Sequence, residues 1–134
     1  PVVALSGEAM TKNKNLIPTA PRESIRVELE ILIQGKKYRA VHVFREPMAR
    51  DKKEYLRATF LLTGSGDNQK RVLNAAGAAE LLWGACLKSV EGYDLPEGCG
   101  LDMIRERIPL EHKIWAVDAL LARVGELVES KKKN

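Results

Sequence analysis

The sequence predicts an α+β fold: an N-terminal antiparallel β-hairpin, then a body of three to four helices, with flexible basic termini. Three observations carry this expectation. From Ser24 on, Ile25, Val27, Leu29, Ile31 and Ile33 alternate with Arg26, Glu28, Glu30, Leu32 and Gln34, the period of a strand with one buried face. Beyond Pro47 the apolar spacing lengthens to three and four residues, the period of helices. The excess positive charge lies at the two ends, which divides the chain into an N-terminal arm (1–22), one α+β domain (23–129) and a basic C-terminal tail (130–134).

The hairpin comes first. Gln34-Gly35-Lys36-Lys37 supplies the glycine of a tight turn, and Tyr38 to Phe44 forms the returning strand. Val41 and Val43 fall on one side of it, with Tyr38, Ala40, His42 and Phe44 on the other. Two strands alone are marginal in water, so their apolar face must be covered by the rest of the chain or by a second copy, which makes a homo-oligomer one expected partner. Pro47 suits a helical first turn. Met48, Tyr55, Leu56, Thr59, Phe60 and Thr63 share one face of a helix over 47–62, although Leu56–Leu62 also reads as a strand. Gly64-Ser65-Gly66-Asp67-Asn68 is a break with a capping residue. Val72, Ala76, Ala79, Trp83, Cys86 and Val90 then mark a second helix over 68–90, whose run of small residues from Ala75 to Ala79 invites close packing. Gly92–Gly100 is a turn-rich loop. Leu101–Arg107 is a short helix halted before Pro109, and Leu110, Ile114, Val117, Leu121, Val124 and Val128 stripe a last helix over 109–129.

At 134 residues, 45% hydrophobic and 30% charged, the chain has the size and make-up of one soluble globular domain. No apolar run approaches the roughly 20 residues of a membrane span. Cys86 and Cys99 are too few for a disulfide-stapled scaffold, and no signal pattern opens the sequence, so a reducing, cytoplasmic setting is expected. A net charge of +4 invites a phosphate partner. Lys12, Lys14 and Arg22 against Glu8, and Lys131, Lys132 and Lys133 against Glu129, account for all of it. Residues 23–128 hold 16 basic and 16 acidic side chains, so nucleic acid is not the expected partner.

Tests for catalytic and metal chemistry return nothing. Thr63–Lys70 has the glycines of a phosphate loop, but Gln69 precedes Lys70 and Arg71 follows it, which breaks the pattern. His42 and His112 have no carboxylate or cysteine at ligand spacing and read as surface or half-buried structural residues. Cys86 lies on an apolar stripe as a small hydrophobe, and Cys99 is the more exposed thiol. Glu28 and Glu30 form a solvated strand face rather than an acid/base pair. Trp83 and Trp115 read as core or interface residues, not as a platform for bases. No catalytic residue, metal ligand or cofactor follows.

The segment Phe44-Arg45-Glu46-Pro47 with Asp51 follows a hairpin and precedes only helices. In this order of elements the chain resembles the tail assembly chaperones of long-tailed bacteriophages. Their second strand leads into an aromatic-Arg-x-Pro-x-x-x-Asp segment, matched by Phe44, Arg45, Pro47 and Asp51. Leu81–Cys86 and Ile108–Lys113 look similar to the family's second and closing helices, whereas the turn-rich 91–102 segment is longer than the pattern. The resemblance covers roughly 24–124. It implies a non-enzymatic, phage- or prophage-encoded protein of the bacterial host cytoplasm that binds tape measure protein and tail tube subunits during assembly. The partner-binding candidates are Leu110, Ile114, Trp115, Val117 and Leu121 on the last helix, with Trp83 on the second, holding client helices in an apolar groove. A structural virion protein (a tail, neck or connector component) whose termini order on assembly is the alternative.

Overall fold

The computed structural model describes residues 15–127. The expected α+β fold is observed: an N-terminal antiparallel strand pair followed by helices. Strands β1 (Ile25–Ile33) and β2 (Lys36–Phe44) pair in full register from Ile25 opposite Phe44 to Ile33 opposite Lys36. They are joined by Gln34 and Gly35, both at positive φ (51° and 79°), the two-residue turn whose twist matches that of the strands. Helix α1 (Ala49–Thr59) runs straight into strand β3 (Phe60–Thr63). A 3₁₀ turn at Gly66–Asn68 leads to β4 (Lys70–Leu73), then α2 (Ala75–Cys86), β5 (Leu87–Glu91), α3 (Leu101–Arg107) and α4 (Leu110–Leu127).

Two predicted helices are corrected. The expected 47–62 helix ends at Thr59 and gives its last turn to β3, so Leu56–Leu62 is helix up to Thr59 and strand beyond. The expected 68–90 helix is a strand, a helix and a second strand. At its C-terminal end the physical reason is visible. Arg105 Nη2 donates to the Gly84 carbonyl at 3.0 Å, Arg45 Nη2 to Ala85 O at 2.9 Å and the Arg45 backbone N–H to Cys86 O at 2.9 Å. Carbonyls that would have continued the helix are thus taken by groups distant in sequence, two of them cationic at the negative end of the helix dipole. The chain leaves as β5, which adds antiparallel to β2 and makes a sheet of order β1-β2-β5. At the other end, β4 pairs with β3, Phe60 facing Leu73 and Thr63 facing Lys70, in a separate two-stranded ribbon.

As the central strand, β2 is buried on both faces from Ala40 to Phe44. On the inner face Ile25, Val27 and Phe44 meet Ala79, Leu82, Trp83 and Cys86 of α2, Ile104 and Ile108, and Ala116, Val117, Leu120 and Val124 of α4. The small side chains of α2 let it pack against both α1 and α4. On the outer face no helix packs among the described residues. Instead Arg26 of β1 reaches across the central strand to Glu91 of β5 through two 3.0 Å bonds, and Arg39 pairs with Glu28 at 2.6 Å. Their stems run beside Val41 and Val43, which are buried.

The Arg45 and Asp51 of the resembling segment form the corner between sheet and helices. Arg45 makes a fork onto Asp51 (2.8 and 3.2 Å), and Asp51 also accepts the Met48 backbone N–H at 2.8 Å at the start of α1. The Arg45 guanidinium holds the Asp51 carboxyl below its usual pKa. Just before the sheet, the Glu46 backbone N–H donates to Arg22 O at 2.7 Å, and the Arg22 N–H donates to the Glu46 carboxylate at 3.0 Å. The expected flexible arm and basic tail fall largely in residues 1–14 and 128–134, outside the described residues.

After β5 the chain turns at Gly92 (φ +91°), where an added Cβ would lie 2.4 Å from the Arg39 carbonyl oxygen. Gly92→Ala is therefore expected to cost about 3 kcal/mol, combining left-handed strain with a backbone clash. Replacing Gln34 with asparagine, which tolerates the left-handed region, is expected to gain several tenths of a kcal/mol. Urea titrations monitored by tryptophan fluorescence would check both.

Candidate functional site

Two features stand out from an otherwise ordinary packed domain: a buried polar chain opening on a cleft, and the uncovered β3–β4 ribbon. The first is centred on Trp83, which is fully buried. Its Nε1–H donates to His42 Nδ1 at 2.9 Å. An indole nitrogen can only donate, so Nδ1 of His42 is an acceptor and its proton sits on Nε2. That nitrogen lies 2.8 Å from Tyr93 Oη, and Tyr93 Oη lies 2.9 Å from His112 Nδ1. With His42 donating, the tyrosine hydroxyl accepts from it and keeps its own hydrogen free for His112 Nδ1, so that the series can run one way from Trp83 to His112.

Burial pushes the His42 pKa down to about 4, with His112 adding a smaller effect. It also lowers that of His112 and raises that of Tyr93 to about 12. All three groups are held neutral at pH 7. The Trp83 ring also receives a cation: Lys113 Nζ sits 4.9 Å from its centroid and donates to Arg105 O at 2.7 Å and Glu80 Oε2 at 3.1 Å. Lys113 is itself buried, and these bonds offset its desolvation. His112 stacks on Trp115, centroids 5.5 Å apart.

Tyr93 and His112 line a cleft of about 450 Å³ whose other walls include Ile31, Tyr38, Ala40, Asp94 and Arg107. The pairing of His42 with His112 escapes sequence inspection because Tyr93, in the loop after an unpredicted strand, is the bridge. His42 is fully buried, not surface or half-buried as expected. The Cys86 thiol is buried in the core with its pKa pushed up to about 11 by desolvation, and Cys99 packs half-buried beside the same core. Among the described residues no three His, Cys, Asp or Glu side chains gather as a metal site, and no helix is long and apolar enough to cross a membrane.

The six partner-binding candidates separate. Trp83 and Val117 are enclosed in the core and present no surface to a partner. Ile114 and Leu121 pack half-buried against that core. Leu110 and Trp115 remain exposed on α4.

The larger uncovered apolar surface is the ribbon. Every residue of β3 and β4 is exposed, with Leu62 at 68% and Leu73 at 63%. Residues opposite each other across an antiparallel pair share a face. One face therefore carries Phe60, Leu73, Leu62 and Arg71, and the other Leu61, Val72, Thr63 and Lys70. Both faces are apolar at the base and cationic toward the tip. Arg71 lies over the Phe60 ring, 5.4 Å from its centroid. The base is fastened by Asn74, whose N–H donates to Thr59 O at 2.6 Å and whose side-chain amide donates to Ala58 O. Sequence signals for the ribbon were present in Leu61, Leu62, Val72 and Leu73 flanking a glycine-rich break, but helical spacing on either side masked them.

A histidine held neutral by burial contributes stability that is complete above its unfolded pKa of 6.5 and is lost as the pH falls toward the folded value of about 4. The unfolding free energy from urea titrations should fall across that window by an amount on the order of 3 kcal/mol. Tyr93→Phe leaves His42 Nε2–H and His112 Nδ1 without partners and is expected to cost about 2 kcal/mol at pH 7.

Compared with known proteins, the chain matches no protein-family model, no curated protein and no solved structure.

Proposed function

We propose that this protein is a non-enzymatic binding protein that shields an assembly client, a tail assembly chaperone of a long-tailed bacteriophage acting in the host cytoplasm. The observation that carries the reading is the β3–β4 ribbon, apolar on both faces and exposed at every residue, with no other element laid over it among the described residues. An isolated two-stranded ribbon is marginal in water, and a third strand or an apposed surface is what stabilises it. Exposed apolar surface of this kind marks a protein-binding site. The order of elements and the Phe44, Arg45, Pro47 and Asp51 segment support the chaperone reading, with tape measure protein and tail tube subunits as clients. Exposed Leu110 and Trp115 on α4 offer a second, smaller contact. The groove first expected around Trp83 and Val117 is replaced by the ribbon, because those two side chains are spent on the core.

The protein isolated from phage-infected cells should carry tape measure protein with it, and purified phage particles should lack it. A Leu62→Ser, Leu73→Ser double variant, changed only at exposed positions, should keep its unfolding free energy within about 0.5 kcal/mol and lose the co-purified client. Presence in the particle with no tape measure protein bound would favour the structural virion alternative instead.

A further inference from the structure

We infer that the ribbon takes its client as an added β-strand, and that the client segment alternates apolar residues with Asp or Glu. The inference rests on the reading above that the partner is a protein, and it specifies how the partner is held. Three observations support it. First, among the described residues β3 and β4 form a sheet of two strands, so each has an outer edge with no described strand beside it. Such an edge is a template for a further strand, whose main chain pairs with it while its side chains fall beside those of the ribbon.

Second, the ribbon has no polar face. A client helix laid across it would cover Phe60, Leu62 and Leu73 or Leu61 and Val72, but not both sets, since they lie on opposite faces. An added strand flanks both faces at once, because its successive side chains alternate between them.

Third, the charge selects the partner. Residues 49–73 carry Arg50, Lys52, Lys53, Arg57, Lys70 and Arg71 against Asp51, Glu54 and Asp67. Two of the acids are already engaged, Asp51 by Arg45 and Glu54 by Arg57. Lys70 and Arg71 lie on β4, one on each face, and neither makes an ion pair among the described residues. A strand alternating apolar with acidic residues sets its carboxylates beside one of these cations in either facing, and its apolar residues beside the aliphatic side chains of the other face. Pairing two ribbons through β4 would instead gather four cations on one short ladder, which disfavours a second copy as the occupant. Lysine on an open edge is a common guard against self-pairing, and the same lysine attracts an acidic strand.

The test uses the full chain and three fluorescein-labelled peptides of about eight residues, a usual strand length. One alternates Val with Glu, one Val with Lys, and the third is the Glu peptide with a central proline. Fluorescence anisotropy should show the Glu peptide binding at least about fivefold more tightly than the Lys peptide, as one charge pair turned from attractive to repulsive implies. The proline peptide should bind more weakly than its parent. Amide hydrogens of 60–63 or 70–73 should exchange more slowly in the complex. Lys70→Glu with Arg71→Glu should reverse the preference toward the Lys peptide, a readout that loss of folding cannot mimic.

Equal binding of the Glu and Lys peptides, undiminished binding of the proline peptide, or protection elsewhere than the ribbon would overturn the inference. So would a preference for phosphatidylserine vesicles or duplex DNA over the Glu peptide, or sedimentation showing self-association through the ribbon. If tape measure protein is captured equally by the wild-type and charge-reversed chains, the proposed function stands and strand addition fails. If the Glu peptide binds the ribbon but tape measure protein is not captured, the reverse holds.

Discussion

The hydrogen bond from Trp83 to His42 is the interaction on which the rest of the domain depends. It joins the middle of α2 to the central strand inside a core where an unpaired indole N–H or imidazole nitrogen would carry the full cost of desolvation. Neither side chain has a substitute partner at those nitrogens. The bond therefore settles where α2 lies across the sheet, and with it how far β5 must travel to reach the free edge of β2. Lys113 over the indole ring brings in α4 and the backbone of α3. Four elements thus converge on one aromatic ring. The truncation Trp83→Ala falls in the range of about 3–5 kcal/mol for large aromatic cavities, before the stranded polar atoms are added.

The hydrogen-bond series beyond His42 extends this control outward. Tyr93 belongs to the turn-rich loop, and His112 to the first turns of α4. Their bonds tie the loop between the sheet and the last helix without any regular backbone pairing of its own. The direction of the series follows from its first member, since an indole cannot accept. Neutral His42 is accordingly matched to the fold, since its protonated form would set an imidazole N–H against the indole N–H, two donors facing each other.

Much of the fold was legible in the sequence, and the misses have physical causes. Period-two alternation placed β1 and β2 because one face of that pair meets the core and the other meets water, so composition follows geometry. The last two helices were legible from their stripes and from Pro109. The stripe from Val72 to Val90 misled because three different environments repeat at helical spacing. Ala79, Trp83 and Cys86 are α2 core residues, Val90 belongs to β5, and Val72 lies exposed on β4. The ends of α2 are decided by Arg45, Arg105 and Asn74 acting from elsewhere, which no local window contains. The candidate site was the least legible part. Trp83 and Val117 looked like surplus apolar residues, whereas the surplus lies in Leu62 and Leu73, which a helical assignment had placed on body helices.

The absence of loops around the ribbon has a mechanical meaning. Thr59 passes directly into Phe60, Asn74 alone separates Leu73 from α2, and Cys86 passes directly into Leu87. From ribbon to sheet there is thus a nearly continuous track of hydrogen-bonded backbone, with α2 supplying about 18 Å of it at 1.5 Å per residue. The ribbon is a stalk-mounted fork rather than a hinged flap. Whatever it grips is held at a set distance and angle from the three-stranded sheet, and a pull on the tip is borne by the β5–β2 ladder and the indole behind it.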